Sequence, residues 1–255
     1  MRRRTAPIAL ALSLSLTGAA WAGETACWFE NGAVVAPAVI GDMAGDYVID
    51  LSAPRTLLHE TKAQMAGIVE PELTLPVEVA GLKAPAVSVA VADLDARGAG
   101  FVTPIAGVIG MDVLAGHSIE IDFSACKVRI DRPWRVTRQA VLPVEVVDGL
   151  PTVIASVSDG PRVLHGAFAI DTASKAMVRL ASRDAAVAGK LDPNARHKAP
   201  ARLRALSLGG VLAENVPATL AEELPEGVTG TLGVGLWAHH RLHLAADART
   251  LSVAP

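Results

Sequence analysis

Apolar and polar residues alternate along two pairs of segments in this chain, one pair in each half. The first pair is residues 73–79 and 86–91, the second is residues 203–208 and 216–220, and glycines separate the two members of each pair. Alternation with a period of two is typical of strands that place one face on a hydrophobic core. The pattern therefore predicts a pair of connected strands in each half.

A longer repeat surrounds these strands. An apolar run ends at Asp50, and an apolar-apolar-glycine block ends 60 residues later at Gly110. A second apolar run ends at Asp171, and its block ends 62 residues later at Gly233. Each glycine is followed, seven positions on, by a histidine that opens another alternating run. The equal order and spacing indicate that one fold is present twice.

Composition favours strands over helices throughout. About half of the 255 residues are hydrophobic (51%), only 4% are aromatic, and 22 Gly and 16 Pro mark frequent turns between valine-rich runs. Such runs and turns are typical of β proteins. We therefore predict an all-β fold of two similar lobes, related by a pseudo-two-fold axis, with a cleft between them.

The N-terminus has the order of a secretory signal peptide. Three arginines at positions 2–4 precede a short apolar stretch, residues 8–16, and Ala20-Trp21-Ala22 fits the small-x-small cleavage pattern. The apolar stretch is too short for a membrane span. We therefore expect a periplasmic or secreted protein.

The chain divides into a signal peptide, two lobes and a linker. Residues 132–139 carry three arginines and a proline, which indicates a linker. We assign residues 1–22 to the signal peptide, 23–131 to the first lobe and 140–255 to the second. The second repeat is longer by a polar segment, residues 191–200, which we interpret as an enlarged surface loop or, in a two-lobed enzyme, as a flap over the cleft.

The net charge of the chain argues against some classes of binding partner. The formal net charge is −3, and removal of the three signal-peptide arginines makes it −6. A mildly acidic chain without a basic cluster argues against nucleic acid and anionic membranes as partners. No other stretch of the sequence is long and apolar enough to predict a membrane span.

The two cysteines predict one disulfide. Cys27 lies near the mature N-terminus, and Cys126 lies in the last strand pair of the first repeat. In an oxidising compartment an even pair of cysteines is expected to be bridged. The bridge would attach the N-terminal strand to that strand pair.

Asp50 and Asp171 are the candidate catalytic residues. Two carboxylates about a hydrogen bond apart cannot both ionise easily, so they share a proton and one apparent pKa rises. Such a pair activates a water with one oxygen and protonates a carbonyl with another, which is hydrolysis without a covalent intermediate. Taken singly, an aspartate after a strand is as readily a turn or capping residue. The duplication is what favours the paired site.

Other chemistries have less support. His239, His240 and His243 suggest a metal site, but alternation along a strand points His240 away from the other two. The sequence contains no Gly-x-Ser-x-Gly elbow and no glycine-rich phosphate loop. We expect neither a metal nor a cofactor.

These motifs resemble the signatures of retropepsin-like and pepsin-like aspartic proteases. Asp171-Thr172-Ala173-Ser174 resembles the family's Asp-Thr-Gly-Ser/Ala, and the blocks at 108–110 and 231–233 resemble the second signature of each lobe. Residues 107–114 and the alternating run that follows, residues 119–123, look especially like bacterial retropepsin-like proteins. The resemblance implies two β-barrel lobes with Asp50 and Asp171 at the base of the cleft, and the activity of a secreted or periplasmic aspartic-type endopeptidase.

The resemblance also implies supporting residues and partners. Thr172, Ser174 and Ser52 would support the two aspartates by hydrogen bonds. The substrate would be an extended peptide or protein, added beside cleft strands. Because one chain carries both lobes, a monomer suffices to build the site.

Three positions depart from the family pattern. Leu51 stands where the family has a hydroxyl residue, and Ser52 and Ala173 stand where it has glycine. These departures motivate an alternative function, a catalytically inactive peptide- or envelope-binding module with the same fold. A third alternative is a structural envelope protein in which the aspartates lie apart and are hydrogen-bonded separately.

Overall fold

The computed structural model of the protein describes residues 23–181, 201–221 and 224–255. The predicted signal peptide and the predicted loop at 191–200 lie outside the described residues. The elements in chain order are β1 (Glu24–Ala26), β2 (Trp28–Glu30), β3 (Ala33–Ile40), β4 (Met43–Ile49), β5 (Leu57–His59), α1 (Glu60–Met65), β6 (Glu72–Val79), β7 (Leu82–Ala92), α2 (Asp95–Gly98), β8 (Gly107–Ile109), α3 (Met111–Leu114), β9 (Ile119–Asp122), β10 (Lys127–Ile130), β11 (Ala140–Pro143), β12 (Glu145–Val147), β13 (Leu150–Ser158), β14 (Val163–Ile170), β15 (Val178–Ala181), β16 (Ala201–Leu208), β17 (Val211–Ala221), β18 (Val228–Leu232), α4 (Val234–Trp237), β19 (Arg241–Leu244) and β20 (Thr250–Ala254).

Two seven-stranded sheets repeat one topology. The first has the order β2-β3-β4-β8-β5-β7-β6, and the second has the order β12-β13-β14-β18-β15-β17-β16. A further pairing, β3 with β6 and β13 with β16, closes each sheet on itself. Six of the seven strands form a closed ring, with β2 or β12 outside it, so each sheet is barrel-like. The prediction of an all-β fold with two similar lobes is confirmed.

The alternating segments form the antiparallel pairs β6–β7 and β16–β17. Along β6, Val77 and Val79 are buried while Glu78 between them is exposed. This is the pattern that a half-buried strand requires, and each buried valine contributes about 1.5–3 kcal/mol relative to an exposed one.

A third sheet of six strands joins the two halves, in the order β1-β10-β9-β19-β20-β11. At its centre β9 pairs antiparallel with β19, its counterpart in the second repeat, with Ile121 opposite Leu242. Each central strand is flanked by its own sequence neighbour, β10 or β20. Antiparallel pairing of equivalent strands fits the predicted pseudo-two-fold relation, and the buried Ile121 and Leu242 belong to one continuous core.

The predicted disulfide is present. Cys27 and Cys126 are bonded, with their Cα atoms 5.0 Å apart. The backbone N–H of Cys27 also donates to the carbonyl of Cys126 at 2.9 Å. The bridge attaches the start of the chain to the turn between β9 and β10, and therefore to the central sheet.

The described helices are short. The longest is α1, with six residues, and its N-terminus is capped by Nδ1 of His59, which accepts from the N–H of Thr61 at 3.3 Å. In the described part of the chain, no helix has the length and apolar character that a membrane crossing needs.

Candidate active site

Asp50 follows the last residue of β4 and is completely buried. Its N–H donates to the carbonyl of Ile109 at 3.1 Å. Its Oδ1 accepts two hydrogen bonds from Ser52, from the backbone N–H at 2.8 Å and from the hydroxyl at 2.7 Å. These bonds hold the carboxylate at the end of the strand.

Asp171 occupies the equivalent place at the end of β14, with 1% of its surface exposed. Its N–H donates to the carbonyl of Leu232 at 2.9 Å, the counterpart of the Ile109 bond. Its Oδ1 accepts from the N–H of Ala173 at 2.9 Å, and its Oδ2 accepts from the hydroxyl of Thr231 at 2.8 Å. The two aspartates thus have equivalent backbone hydrogen bonds, but the side chains that bind their carboxylates differ.

The glycine blocks pack directly behind the aspartate loops. The N–H of Met111 donates to the carbonyl of Ala53 at 2.8 Å, and the N–H of Val234 donates to the carbonyl of Ser174 at 2.7 Å. A Cβ on Gly110 would lie 2.6 Å from the backbone carbonyl of Arg55. Glycine is therefore required by close approach of two backbones.

One hydroxyl ties the two aspartate loops together. Thr172 Oγ1 donates to the carbonyl of Ile49 at 2.6 Å and accepts from the N–H of Leu51 at 3.1 Å, so it contacts both neighbours of Asp50. The carbonyl of Thr172 accepts from Val34 of the first lobe at 2.9 Å. All of these groups are buried, which makes the bonds expensive to lose.

No equivalent side-chain hydrogen bond runs from the first aspartate loop to the second in the described residues, because Leu51 stands where the second loop has Thr172. Leu51 has no hydroxyl, and its side chain is instead buried in the hydrophobic core with 1% exposure. Among these bonds, the only side chain that takes part is therefore that of Thr172, from the second repeat, and the first repeat contributes backbone groups.

Ser52 and Ser174 have different surroundings. Ser52 bonds directly to Asp50, whereas the hydroxyl of Ser174 accepts from the N–H of Ala176 at 3.3 Å, within its own loop. Of the three predicted supporting residues, Ser52 touches a carboxylate, Thr172 touches the backbone beside one, and Ser174 shapes the second loop.

Two arginines, absent from the sequence prediction, reach the carboxylates. Nη2 of Arg97, on α2, forms a hydrogen-bonded ion pair with Oδ2 of Asp50. Nη1 of Arg179, on β15, lies 3.6 Å from Oδ2 of Asp171. Both arginine side chains are about one third exposed (34% and 33%), so they lie between the buried acids and solvent. Arg179 had a recognisable signal in the sequence, a charge within an apolar strand, whereas the short segment around Arg97 shows no comparable pattern.

The surroundings of Asp171 favour its protonated form. Burial raises the pKa of the Asp171 carboxyl, and the charge of Asp50 raises it further; Arg179, the N–H of Ala173 and Thr231 offset only part of this. Desolvation and a like charge both disfavour a second carboxylate. Asp50 is thus paired directly with an arginine, whereas the pKa of Asp171 is raised by its surroundings.

One of the histidines considered for a metal site, His243, has an aromatic contact instead. The ring of His243 stacks on Trp134, with centroids 5.0 Å apart. Across residues 23–181, 201–221 and 224–255, no group of three or more His, Cys, Asp or Glu side chains is arranged to hold a metal ion.

Comparison with known proteins supports the fold. No protein-family model matches the chain, and no curated protein matches it. Among solved structures, an aspartic proteinase from Irpex lacteus is similar, with a TM-score of 0.55 and 13% sequence identity over 91% of this chain and 96% of that one. At this identity the similarity shows the fold alone. The chain therefore has the fold of a pepsin-like aspartic proteinase, which confirms the predicted resemblance at that level.

Proposed function

We propose that this protein is an aspartic-type endopeptidase that hydrolyses peptide bonds with a water activated between Asp50 and Asp171. The observation that carries the proposal is the tie made by Thr172, which joins the equivalent aspartate loops of two barrel lobes. The effect of Asp50 on Asp171 supports it, because the charge of a nearby carboxylate raises the pKa of the Asp171 carboxyl.

The two aspartates take different roles in this mechanism. Asp50, ion-paired with Arg97, is the base that accepts a proton from water as the water attacks the peptide carbonyl carbon. Asp171, whose pKa is raised, is the acid that protonates the carbonyl oxygen. The resulting tetrahedral intermediate breaks when the leaving nitrogen takes a proton from the pair, and the new carboxyl and amino ends depart.

Arg97 and Arg179 affect how a substrate can reach the two aspartates. Because both aspartates are buried beneath Arg97 and Arg179, an incoming peptide must displace at least one guanidinium to reach them. A substrate that extends along the cleft can take up the freed donors with its own carbonyl groups.

The proposal includes an extracytoplasmic location. The Cys27–Cys126 bridge supports this, since disulfides persist in oxidising compartments. The predicted signal peptide, residues 1–22, is the second argument. Release of a reporter fused after residue 22 into the periplasm or medium would test it, and retention of the fusion in the cytoplasm would contradict it.

The activity test uses protein purified from a secretory compartment and a dye-labelled unfolded protein as substrate. We expect Asp50→Asn and Asp171→Asn each to lower the rate by roughly 10²-fold or more, since each removes an acid–base group. Asp148→Asn is the matched control, because Asp148 is an exposed turn residue whose positive φ suits asparagine. Equal rates for Asp171→Asn and the unchanged protein would overturn the mechanism.

A second function, an inactive peptide-binding module, is favoured by the contact of Arg97 with Asp50 and by Leu51. In that case the ion pair between Arg97 and Asp50 stays intact and forms part of the surface that binds the peptide. Peptides would bind without turnover, and Asp171→Asn would bind them as well as the unchanged protein does. Proteolysis that a pepstatin-type inhibitor blocks would exclude this function.

A further inference from the structure

An arginine-rich pocket lies on the central sheet, away from both aspartates. It is lined by residues of β9, β10, β19 and the linker, and it encloses about 440 Å³. We name it the arginine pocket; its lining residues are Glu120, Arg129, Arg132, Pro133, Arg135 and Arg241. We propose that the arginine pocket binds a phosphate group, carried by a soluble molecule or by a lipid headgroup.

Two of the arginines are held in place by acids. Arg129 and Arg241 both donate to Oε1 of Glu120, which is nearly buried. Nε of Arg129 also donates to Glu24 at 2.6 Å. Because Arg129 belongs to the first repeat and Arg241 to the second, the pocket floor is shared by both lobes and is ordered before any ligand arrives.

Aromatic contacts orient the second of these arginines. The guanidinium of Arg241 lies 5.1 Å from the centroid of the Trp134 ring, a cation–π distance. Nε of Arg241 is buried, lies 3.3 Å from Oδ2 of Asp122 and has no hydrogen-bond partner among the described residues. The Trp134 ring and the carboxylates of Glu120 and Asp122 thus fix the orientation of the Arg241 guanidinium at the pocket.

The cations at the pocket outnumber the acids. The pocket lining holds four arginines and a single carboxylate, that of Glu120. Hydrogen bonds from Lys127 and Arg129 lower the pKa of Glu24, the second acid that holds Arg129, so Glu24 is ionised at neutral pH. Arg135 is exposed and forms no ion pair within the described ranges, so its guanidinium is available to a ligand.

The chemistry of the lining selects phosphate. Every cation in the lining is an arginine, whose planar fork matches phosphate oxygens in pairs and is more weakly hydrated than lysine. The volume is within the range of small-molecule sites and exceeds that of a single small ion. A phosphate ester therefore fits better than chloride or a lone carboxylate.

The test is calorimetric titration of the full mature protein with inorganic phosphate and with pyrophosphate, at ionic strength matched with sodium chloride. The variant is Arg132→Gln with Arg135→Gln, which leaves the internal pairs of Arg129 and Arg241 intact. The control is Arg138→Gln, an exposed arginine of the same linker outside the lining. We expect saturable binding that the double variant weakens roughly tenfold or more and the control leaves unchanged.

A parallel arm distinguishes the source of the phosphate group. Vesicles of phosphatidylcholine with and without phosphatidic acid are sedimented with the same three proteins. Calorimetric binding alone indicates a soluble ligand, and sedimentation only with phosphatidic acid indicates a lipid headgroup; either supports the site if the double variant loses it. No binding in both arms, or equal loss in the Arg138→Gln control, would overturn the proposal.

Discussion

The hydroxyl of Thr172 in the second lobe donates to the carbonyl of Ile49 in the first, at 2.6 Å, one residue before Asp50. The same oxygen accepts from the N–H of Leu51, one residue after it. A single side chain therefore sets the position of Asp50 relative to Asp171. Since Leu51 returns no such bond, the geometry of the pair depends on Thr172 more than it would in a symmetric site.

Replacement of Thr172 by valine is expected to damage both stability and catalysis. The change keeps the shape but leaves the carbonyl of Ile49 and the N–H of Leu51 buried without partners, at a cost of about 1–3 kcal/mol. Urea unfolding measures the stability, and the dye-labelled protein assay measures the rate. Thr172→Ser keeps the hydroxyl and should retain most of both; equal losses in the two variants would show that the hydroxyl is not the cause.

The stability of the protein should depend on pH through Asp171. Its pKa is raised in the folded state by burial and by Asp50, so its proton stabilises the fold at low pH, and this contribution is lost as pH rises through the folded pKa. Asp171→Asn cannot ionise. Its melting temperature relative to the unchanged protein should therefore increase from about pH 4 to about pH 7. Parallel melting curves across this range would contradict the raised pKa.

Arg179 should set the alkaline limit of the activity. Its charge lowers the pKa of Asp171, against the larger effects of burial and Asp50. In Arg179→Gln the pKa of Asp171 rises further, so the catalytic proton is retained to higher pH and the alkaline limb of the rate profile moves upward. Arg179→Lys keeps a charge and should move the limb less. A downward move in Arg179→Gln would contradict the assignment of Asp171 as the acid.

Gly110 should not tolerate alanine. A Cβ there would lie 2.6 Å from the backbone carbonyl of Arg55, and a backbone group cannot turn aside as the end of a flexible side chain can. We expect Gly110→Ala to destabilise the fold by about 1–3 kcal/mol, as overpacking does, and to reduce activity. Gly98→Ala is the control, because the nearest atom to its Cβ is 3.8 Å away. Similar melting temperatures for the two variants would contradict the close-packing argument.

Loss of the disulfide should cost more than any single hydrogen bond. Cys27 and Cys126 are 99 residues apart, and a bridge that closes a loop of about 100 residues removes roughly 4–5 kcal/mol of unfolded-state entropy. The double variant Cys27→Ala, Cys126→Ala should lose a comparable part of its unfolding free energy in urea. The double serine variant separates the effect of the bridge from that of polarity. A loss below about 1 kcal/mol in both would show that the bridge constrains little.

Local patterns in the sequence predicted most of the fold. The period-two alternation around Val77 and Val79 reports which face of a strand is buried, and this depends only on neighbouring residues. The repeat then predicted two lobes, and Asp50 and Asp171 were found because each follows the same apolar strand. The disulfide followed from there being only two cysteines.

The joining of the lobes was decided by tertiary structure. The runs that became β9 and β19 were evident as strands, but nothing local indicated that they pair with each other. The hydroxyl of Thr172 was expected to support the aspartates, whereas its partners, Ile49 and Leu51, could be identified only once the lobes were packed together.

Contacts between charged residues that are far apart in the chain could not be predicted from the sequence either. Arg97 lies 47 positions from Asp50, and the arginine pocket brings Arg241 of the second repeat to the arginines of β10 and the linker. The sequence alone determined which residues are apolar, which faces strands bury, and where the repeated aspartates fall. Only the folded chain decided which charges meet, because long side chains from separate loops and strands reach one another through space and leave no period in the sequence.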